Sequence, residues 1–375
     1  MAEKLIPEDI SNCISALIAR NKLWAGKDIF CYYITNKMAG CFTNSKKSKK
    51  YKLIFNNAEK HALQTPECAK SVTSRIFTTE YAGHGKDLAN AVLAELIATY
   101  QTGNECLIIT AGGDGTSLEV QTSLYLAAQS EAKKRDMIMN HITLLRLPLG
   151  TGNDGTDGHS IEETIQMLQG PLVFMNARAL KITPNTNPTA AKYTSLKYPA
   201  PWYCFNIVSI GLDAYVVYMT NTVKSRLPGN FYHLCVQLSG LVYDKDFPTG
   251  NAEVELYDQQ GLLTEKLSAP ITLIAIGASG YRVYGGGHKV LPTADNVCFT
   301  PKVSLARLIR DNHHFVDGSF VGTNLASLHS AEKVVINYDK DILLQADGEV
   351  AMLQRENFPL TVEKTEPCIR VICRV

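Results

Sequence analysis

The chain has 375 residues, 37 basic and 36 acidic, for a formal net charge of +1, with 45% hydrophobic and 19% charged residues. This composition excludes a disordered chain, and the near-neutral balance excludes a global field that would recruit nucleic acid, so any electrostatic docking has to be local. The length favours two domains, each able to bury its own core.

The N-terminal stretch "MAEKLIPEDISNCISALIARNKLW" places acids early and has no uninterrupted apolar core, unlike a signal peptide. No run approaches the ~18 apolar residues of a membrane span. The ten cysteines are scattered with no C-x-x-C pair, a pattern expected of buried free thiols in a reducing compartment. The expectation is a soluble, cytoplasmic protein.

In chain order, "DIFCYYI" (28–34) reads as a buried strand. The lysine-rich "KKSKK" (46–50) reads as a solvated loop leading into a helix over 51–63. A second strand, "SRIFTT" (74–79), precedes a helix over 84–100 with apolar residues at helical spacing. "CLIIT" (106–110) is a third strand, followed by a helix carrying Val120, Leu124 and Ala127, and "ITLLRLPL" (142–149) is a fourth strand before the helical "SIEETIQMLQ" (160–169). Strands alternating with helices predict an α/β domain with a mostly parallel sheet. Past Gly170-Pro171 the pattern changes to short strand-like runs separated by glycine, proline and asparagine: "FNIVSIGL", "AEVELYD", "ITLIAIGA", "KVVINYD", "FPLTVEK" and "IRVICRV". A helical segment near "GNFYHLCVQLSGLVY" interrupts them. These runs predict a C-terminal antiparallel β-sandwich. The expected division is 26–172 and 173–375, with the last strands able to return to the first domain.

Two glycine-rich loops carry the chemistry. "AGGDGTSL" (111–118) and "LPLGTGNDG" (147–155) each follow a strand and precede a helix. Ligands in α/β sheets collect beyond the carboxyl ends of the strands, and free N–H groups at a helix start bind anions. Gly112, Gly113, Gly115, Gly150 and Gly152 would let phosphate approach the backbone, with Thr116, Ser117, Thr151 and Asn153 as polar neighbours. Gly113 is the expected point of close approach and of positive φ. The bland reading of the first loop is an Asp-Gly turn capped by Thr116; two loops on one sheet edge favour the cradle. Neither has the spacing of a P-loop or of a dinucleotide fingerprint. Asp114 beside a polyphosphate needs an offsetting Mg²⁺ or a substrate hydroxyl. In "QADGE" (345–349), an extended segment would put Asp347 and Glu349 on one face, while the bland reading is a polar hairpin turn.

Together "GGDGTSLEV", "LPLGTGNDG", "GYRVYGGGHKVLP" (280–292) and "QADGE" resemble the diacylglycerol kinase catalytic family, which includes soluble bacterial lipid kinases and is related to sphingosine and ceramide kinases. The likeness runs from about residue 28 to the C-terminus. It implies an ATP-binding α/β domain, a β-sandwich, and catalysis in the cleft between them. Mg²⁺ and ATP are the implied cofactor and phosphate donor, and the acceptor is a lipid with a free hydroxyl, met through peripheral contact with the inner membrane surface. The family's N-P-x-S-G motif falls on "NKMAG", matching at Asn36 and Gly40 and departing at Lys37 and Ala39. Its strand-end threonine falls on Thr78, and its aromatic after "GTGND" is replaced by Gly155. The resemblance implies that Glu349 accepts the proton, that Asp347 orients the site or assists magnesium, and that Asp295 is the nearest match to a structural metal ligand. The competing readings are an NAD kinase, which shares "GGDGT", and a lipid- or nucleotide-binding protein without activity.

Overall fold

The computed structural model describes residues 4–101, 103–150, 153, 155–189, 193–196, 199–226, 243–284 and 288–375. The chain divides into two units: residues up to Ala177 together with Pro367–Val375, and Arg178–Glu366.

The first unit is built on β1 (Asp28–Thr35), β2 (Ser71–Thr78), β3 (Glu105–Gly112), β4 (Ile142–Pro148) and β5 (Leu172–Ala177), completed by the C-terminal strand Ile369–Arg374. The six-stranded order is β2-β1-β3-β4, then the C-terminal strand, then β5. All pairs are parallel except that of β5 with the C-terminal strand. The central strands form because their residues are apolar and buried on both faces, as in β4, which is buried throughout. The helices are α1 (Pro7–Arg20), α2 (Gly40–Thr43), α3 (Ser45–Ala62), α4 (His84–Thr99), α5 (Asp114–Ser130), α6 (Ala132–Asn140) and α7 (Ile161–Gln169).

Three features differ from the expectation. The boundary falls at Ala177/Arg178 rather than 172/173, because β5 pairs along its whole length with the C-terminal strand. Residues before 26 belong to the first unit: α1 buries Ile10, Cys13, Ile14, Leu17 and Ile18 at helical spacing. "KKSKK" is the first part of α3 and not a loop, because Ser48, Tyr51 and Phe55 turn inward while Lys46, Lys49 and Lys50 stay outside.

Chain order reverses across β1 and β3: β2 lies on one side of β1, and the chain then crosses to add β3 and β4 on the other. Strand ends are level there, with Thr35 beside Thr78 and Ala111, and Gly112 beside Pro148. Such a switch point is where an open α/β sheet binds ligands.

The second unit is antiparallel. It contains β6 (Leu180–Pro184), β7 (Trp202–Cys204), β8 (Ile207–Gly211), α8 (Leu212–Arg226), β9 (Asn251–Tyr257), β10 (Leu263–Gly277), β11 (Arg282–Tyr284), β12 (His288–Leu291), β13 (Val297–Pro301), β14 (Ser327–His329), β15 (Lys333–Tyr338), β16 (Ile342–Ala346), β17 (Glu349–Leu353) and β18 (Leu360–Lys364). The long β10 pairs with β9 over residues 263–270 and with β8 and β13 over 271–277. Both halves feed one core, in which Val254, Ile274, Val334, Leu344 and Val362 are buried together. The helix expected near "GNFYHLCVQLSGLVY" lies, but for its last residue, outside the described residues, as does the triple glycine of "GYRVYGGGHKVLP". Among the described residues no helix is long and apolar enough to cross a membrane, and the described cysteines are all free.

Candidate active site

The two glycine loops are in backbone contact. A Cβ added at Gly150 would lie 2.6 Å from Gly113 Cα, closer than real Cβ atoms come, and one at Gly112 would lie 2.8 Å from Thr116 Oγ1. Gly113 itself is extended at φ −98° and its added Cβ would meet Gly150 Cα at an ordinary 3.6 Å. The expected positive φ is therefore absent, and the tight positions are Gly112 and Gly150. Gly115 has open space around it. Thr151 and Gly152 lie outside the described residues.

Asp114 joins the loops. Its Oδ2 accepts the Asn153 N–H at 2.8 Å and its Oδ1 the Gly155 N–H at 3.5 Å. A carboxylate in the first turn of α5 is also favoured by the helix dipole. Asn153 sits at φ +63°, a conformation asparagine tolerates, and its Oδ1 is buried without a hydrogen-bond partner among the described residues. Asn36 ties the β1 loop to the same helix: Nδ2 donates to Thr116 Oγ1 at 3.2 Å, while Oδ1 accepts the Met38 N–H. Gly40 opens α2, whose Cys41 N–H donates to the Leu149 carbonyl just before the second loop. Thr78 Oγ1 is 3.2 Å from Thr35 Oγ1, tying β2 to β1. Thr116 and Ser117 are buried, and Ser117 Oγ bonds Thr110 Oγ1 at 2.8 Å. Ser117 thus ties α5 to β3, while Thr116 ties α5 to Asn36 at the end of β1.

Lys47 was absent from the sequence-based site. From α3 its Nζ donates to the Gly150 carbonyl at 2.6 Å and lies 5.2 Å from the Tyr51 ring centroid. Burial lowers its pKa. The spacing Lys47, Tyr51, Phe55 was the available signal, since residues four apart share a helix face.

The far end of the second loop is anchored by Arg146 and Asp157, both nearly buried. Arg146 Nη2 donates to Asp157 Oδ1 at 2.6 Å, its backbone N–H donates to Oδ2 at 2.7 Å, and Nη1 reaches Gln121 Oε1. Removing one member of a buried pair costs about 3–5 kcal/mol, because the remaining charge is left in low dielectric. Asp157→Ala is therefore expected to lower the urea midpoint by that equivalent, and a change below about 1 kcal/mol would show the pair to be dispensable.

In the second unit, Asp347 and Gly348 form the two-residue turn of the β16–β17 hairpin, with φ of +46° and +90°. Asp-Gly is the dipeptide such turns favour. The extended geometry expected for "QADGE" does not hold, so the alternation argument fails across the turn. Asp347 instead accepts the N–H groups of Phe205, Asn206 and Ile207 at 2.6, 3.0 and 3.0 Å, and the Cys204 thiol at 3.0 Å. These bonds make Asp347 an anchor between the hairpin turn and residues 204–207. Glu349 opens β17 and is half-buried. Asp295 accepts from Ser330 Oγ and Thr293 Oγ1, which hold its carboxyl below the usual range. Among the described residues no group of three or more His, Cys, Asp or Glu could hold a metal.

A mostly parallel sheet with two glycine loops in contact at its switch point is followed in the chain by an antiparallel β unit. Residues 36–182 match the diacylglycerol kinase catalytic domain and residues 206–373 the YegS C-terminal NAD kinase beta sandwich-like domain. Together the two matches span most of the chain, which is thereby similar to diacylglycerol kinase-type proteins. It is 27% identical over 308 residues to "Putative lipid kinase YtlR" of Bacillus subtilis (strain 168), covering 77% of this chain and 87% of that one. A solved structure titled as a putative diacylglycerol kinase from Bacillus anthracis str. Sterne shares the fold, with a TM-score of 0.52 at 14% identity over 94% of this chain and 98% of that one.

Proposed function

We propose that this chain is an ATP-dependent lipid kinase that transfers the γ-phosphate of Mg-ATP to a primary hydroxyl of a lipid of the diacylglycerol type. The observation that carries this reading is the backbone contact of Gly150 with Gly113, closed by Asp114 across the loops. It brings the backbone of two glycine loops together at the sheet's switch point, where backbone N–H groups can receive a polyphosphate.

In this reading the backbone around Gly112, Gly113 and Gly150 receives the phosphates, and Lys47 supplies positive charge beside them. Mg²⁺ takes oxygen ligands and arrives with the nucleotide. Asp114 and the unpartnered Oδ1 of Asn153 are the oxygens that would hold it, and the ion would neutralise charge on the transferring phosphoryl group. Glu349 accepts the proton of the acceptor hydroxyl. Since the phosphoryl transition state is loose, positioning and charge neutralisation contribute more than early proton removal. A lipid acceptor places the reaction at a bilayer surface, so peripheral membrane contact from the cytoplasmic side goes with this reading.

Incubating the purified chain with γ-phosphate-labelled ATP, separately with diacylglycerol, monoacylglycerol, a sphingoid base and NAD, tests the proposal. Label is expected in a lipid and is expected to disappear in excess chelator. Label in NAD would replace this reading with an NAD kinase, and label in neither would leave a binding protein.

A further inference from the structure

Asp213 is a buried carboxyl for which the proposed chemistry has no use. It sits in the first turn of α8, directly after Gly211, whose φ of +104° turns the chain back over β8 and whose added Cβ would strike the Thr272 carbonyl. Asp213 is 6% exposed, and its surroundings supply the neutral donors Ser209 and Gln345, with no charged group acting on it among the described residues. Burial pushes its carboxyl up to about 7. An acid kept in such a place is costly unless it accepts hydrogen bonds that matter.

The bonds around it run in one direction. The Gly348 N–H donates to Gln345 Oε1 at 3.1 Å, Gln345 Nε2 donates to Ser209 Oγ at 3.0 Å, and Ser209 Oγ donates to Asp213 Oδ2 at 2.7 Å. Gln345 and Ser209 stand opposite each other in the β16–β8 register. Asp213 is the terminal acceptor. Without it the Ser209 hydroxyl loses its acceptor, and the Gln345 amide is no longer obliged to turn its oxygen toward Gly348. A flipped amide would face the Gly348 N–H with another donor, leaving both unsatisfied.

We propose that Asp213 is a positioning residue that fixes the Gly348 peptide through Ser209 and Gln345, and so fixes the turn from which Glu349 enters β17. Asp347 holds one side of this turn through residues 204–207, and the relay holds the other. The effect on turnover rests on the lipid-kinase reading; the effect on the turn does not.

The test uses the full chain with Asp213→Ala, Ser209→Ala and Asp213→Asn, reading hydrogen exchange at the Gly348 amide and turnover with Mg-ATP and dioleoylglycerol in mixed micelles. Asp213→Ala and Ser209→Ala are expected to speed Gly348 exchange and lower kcat, each about tenfold, with the KM for ATP unchanged, as the loss of one buried hydrogen bond implies. Asp213→Asn, which keeps an acceptor oxygen, is expected to restore both. Combined with Glu349→Gln, Asp213→Ala is expected to lower kcat no further, because both act through one group. Unchanged Gly348 exchange, or an equal fall in kcat with and without Glu349→Gln, would overturn the proposal. If Asp213→Ala does not fold, Ser209→Ala carries the same comparison. If the unsubstituted chain labels no lipid, the kinase reading fails while the exchange measurement still decides the relay.

Discussion

Replacing Gly150 by alanine is expected to reduce Mg-ADP affinity about a hundredfold, whereas Gly115→Ala should bind like the unsubstituted chain. The new Cβ at Gly150 would stand 2.6 Å from Gly113 Cα, a backbone atom that cannot swing aside, so the loops would have to part. Parting draws the Asn153 and Gly155 N–H groups away from Asp114, and hydrogen bonds to a charged group are worth about 1.5–3 kcal/mol each. Gly115 meets nothing within 4 Å among the described residues, so its methyl is accommodated. Lys47→Met gives a second arm: losing the ammonium at the Gly150 carbonyl should weaken binding about tenfold, while Lys50→Met, which removes an exposed pair with Glu162, should not. Titration calorimetry on variants with unchanged melting temperature decides the matter. Equal affinity for Gly150→Ala and the unsubstituted chain would remove the cradle.

The glycine loops were legible because their signal is local: an apolar run, a glycine turn and a helix occur within a few residues, and the run is buried on both faces of the sheet. Which glycine is indispensable was not legible. Gly113 and Gly150 look alike in sequence, and only the backbone approach of two loops distinguishes them. Composition misled at "KKSKK", where the polarity of four lysines concealed the inward turn of Ser48, Tyr51 and Phe55 and with it the reach of Lys47. In α1 the apolar spacing of Ile10, Ile14 and Leu17 is legible in the sequence as one buried helix face. The role of Asp347 and the burial of Asp213 depend on strand register, which brings 204–209 beside 345–347 and which no short window of sequence contains.

Glu349→Gln is expected to lower lipid phosphorylation by about 10²–10⁴-fold at saturating substrates, the usual contribution of a positioned base, while leaving nucleotide affinity nearly intact. The substitution preserves shape and hydrogen-bonding capacity and removes only the ability to take up a proton. The neighbouring acid of the same hairpin should behave differently. Asp347 accepts three backbone N–H groups and a thiol, so Asp347→Asn replaces acceptor capacity with an NH₂ group facing donors. Its loss should appear first as a lower melting temperature, with turnover falling in proportion to the folded fraction. Asp114→Asn makes a third pattern, weakening Mg-nucleotide binding and turnover together because the loop-to-loop bonds lose their charge. These three outcomes separate a proton acceptor, a backbone anchor and a loop clamp by measurements that do not share a readout. Near-unchanged turnover of Glu349→Gln, with the melting temperature and nucleotide affinity also unchanged, would assign the proton to another carboxylate while leaving the glycine cradle in place.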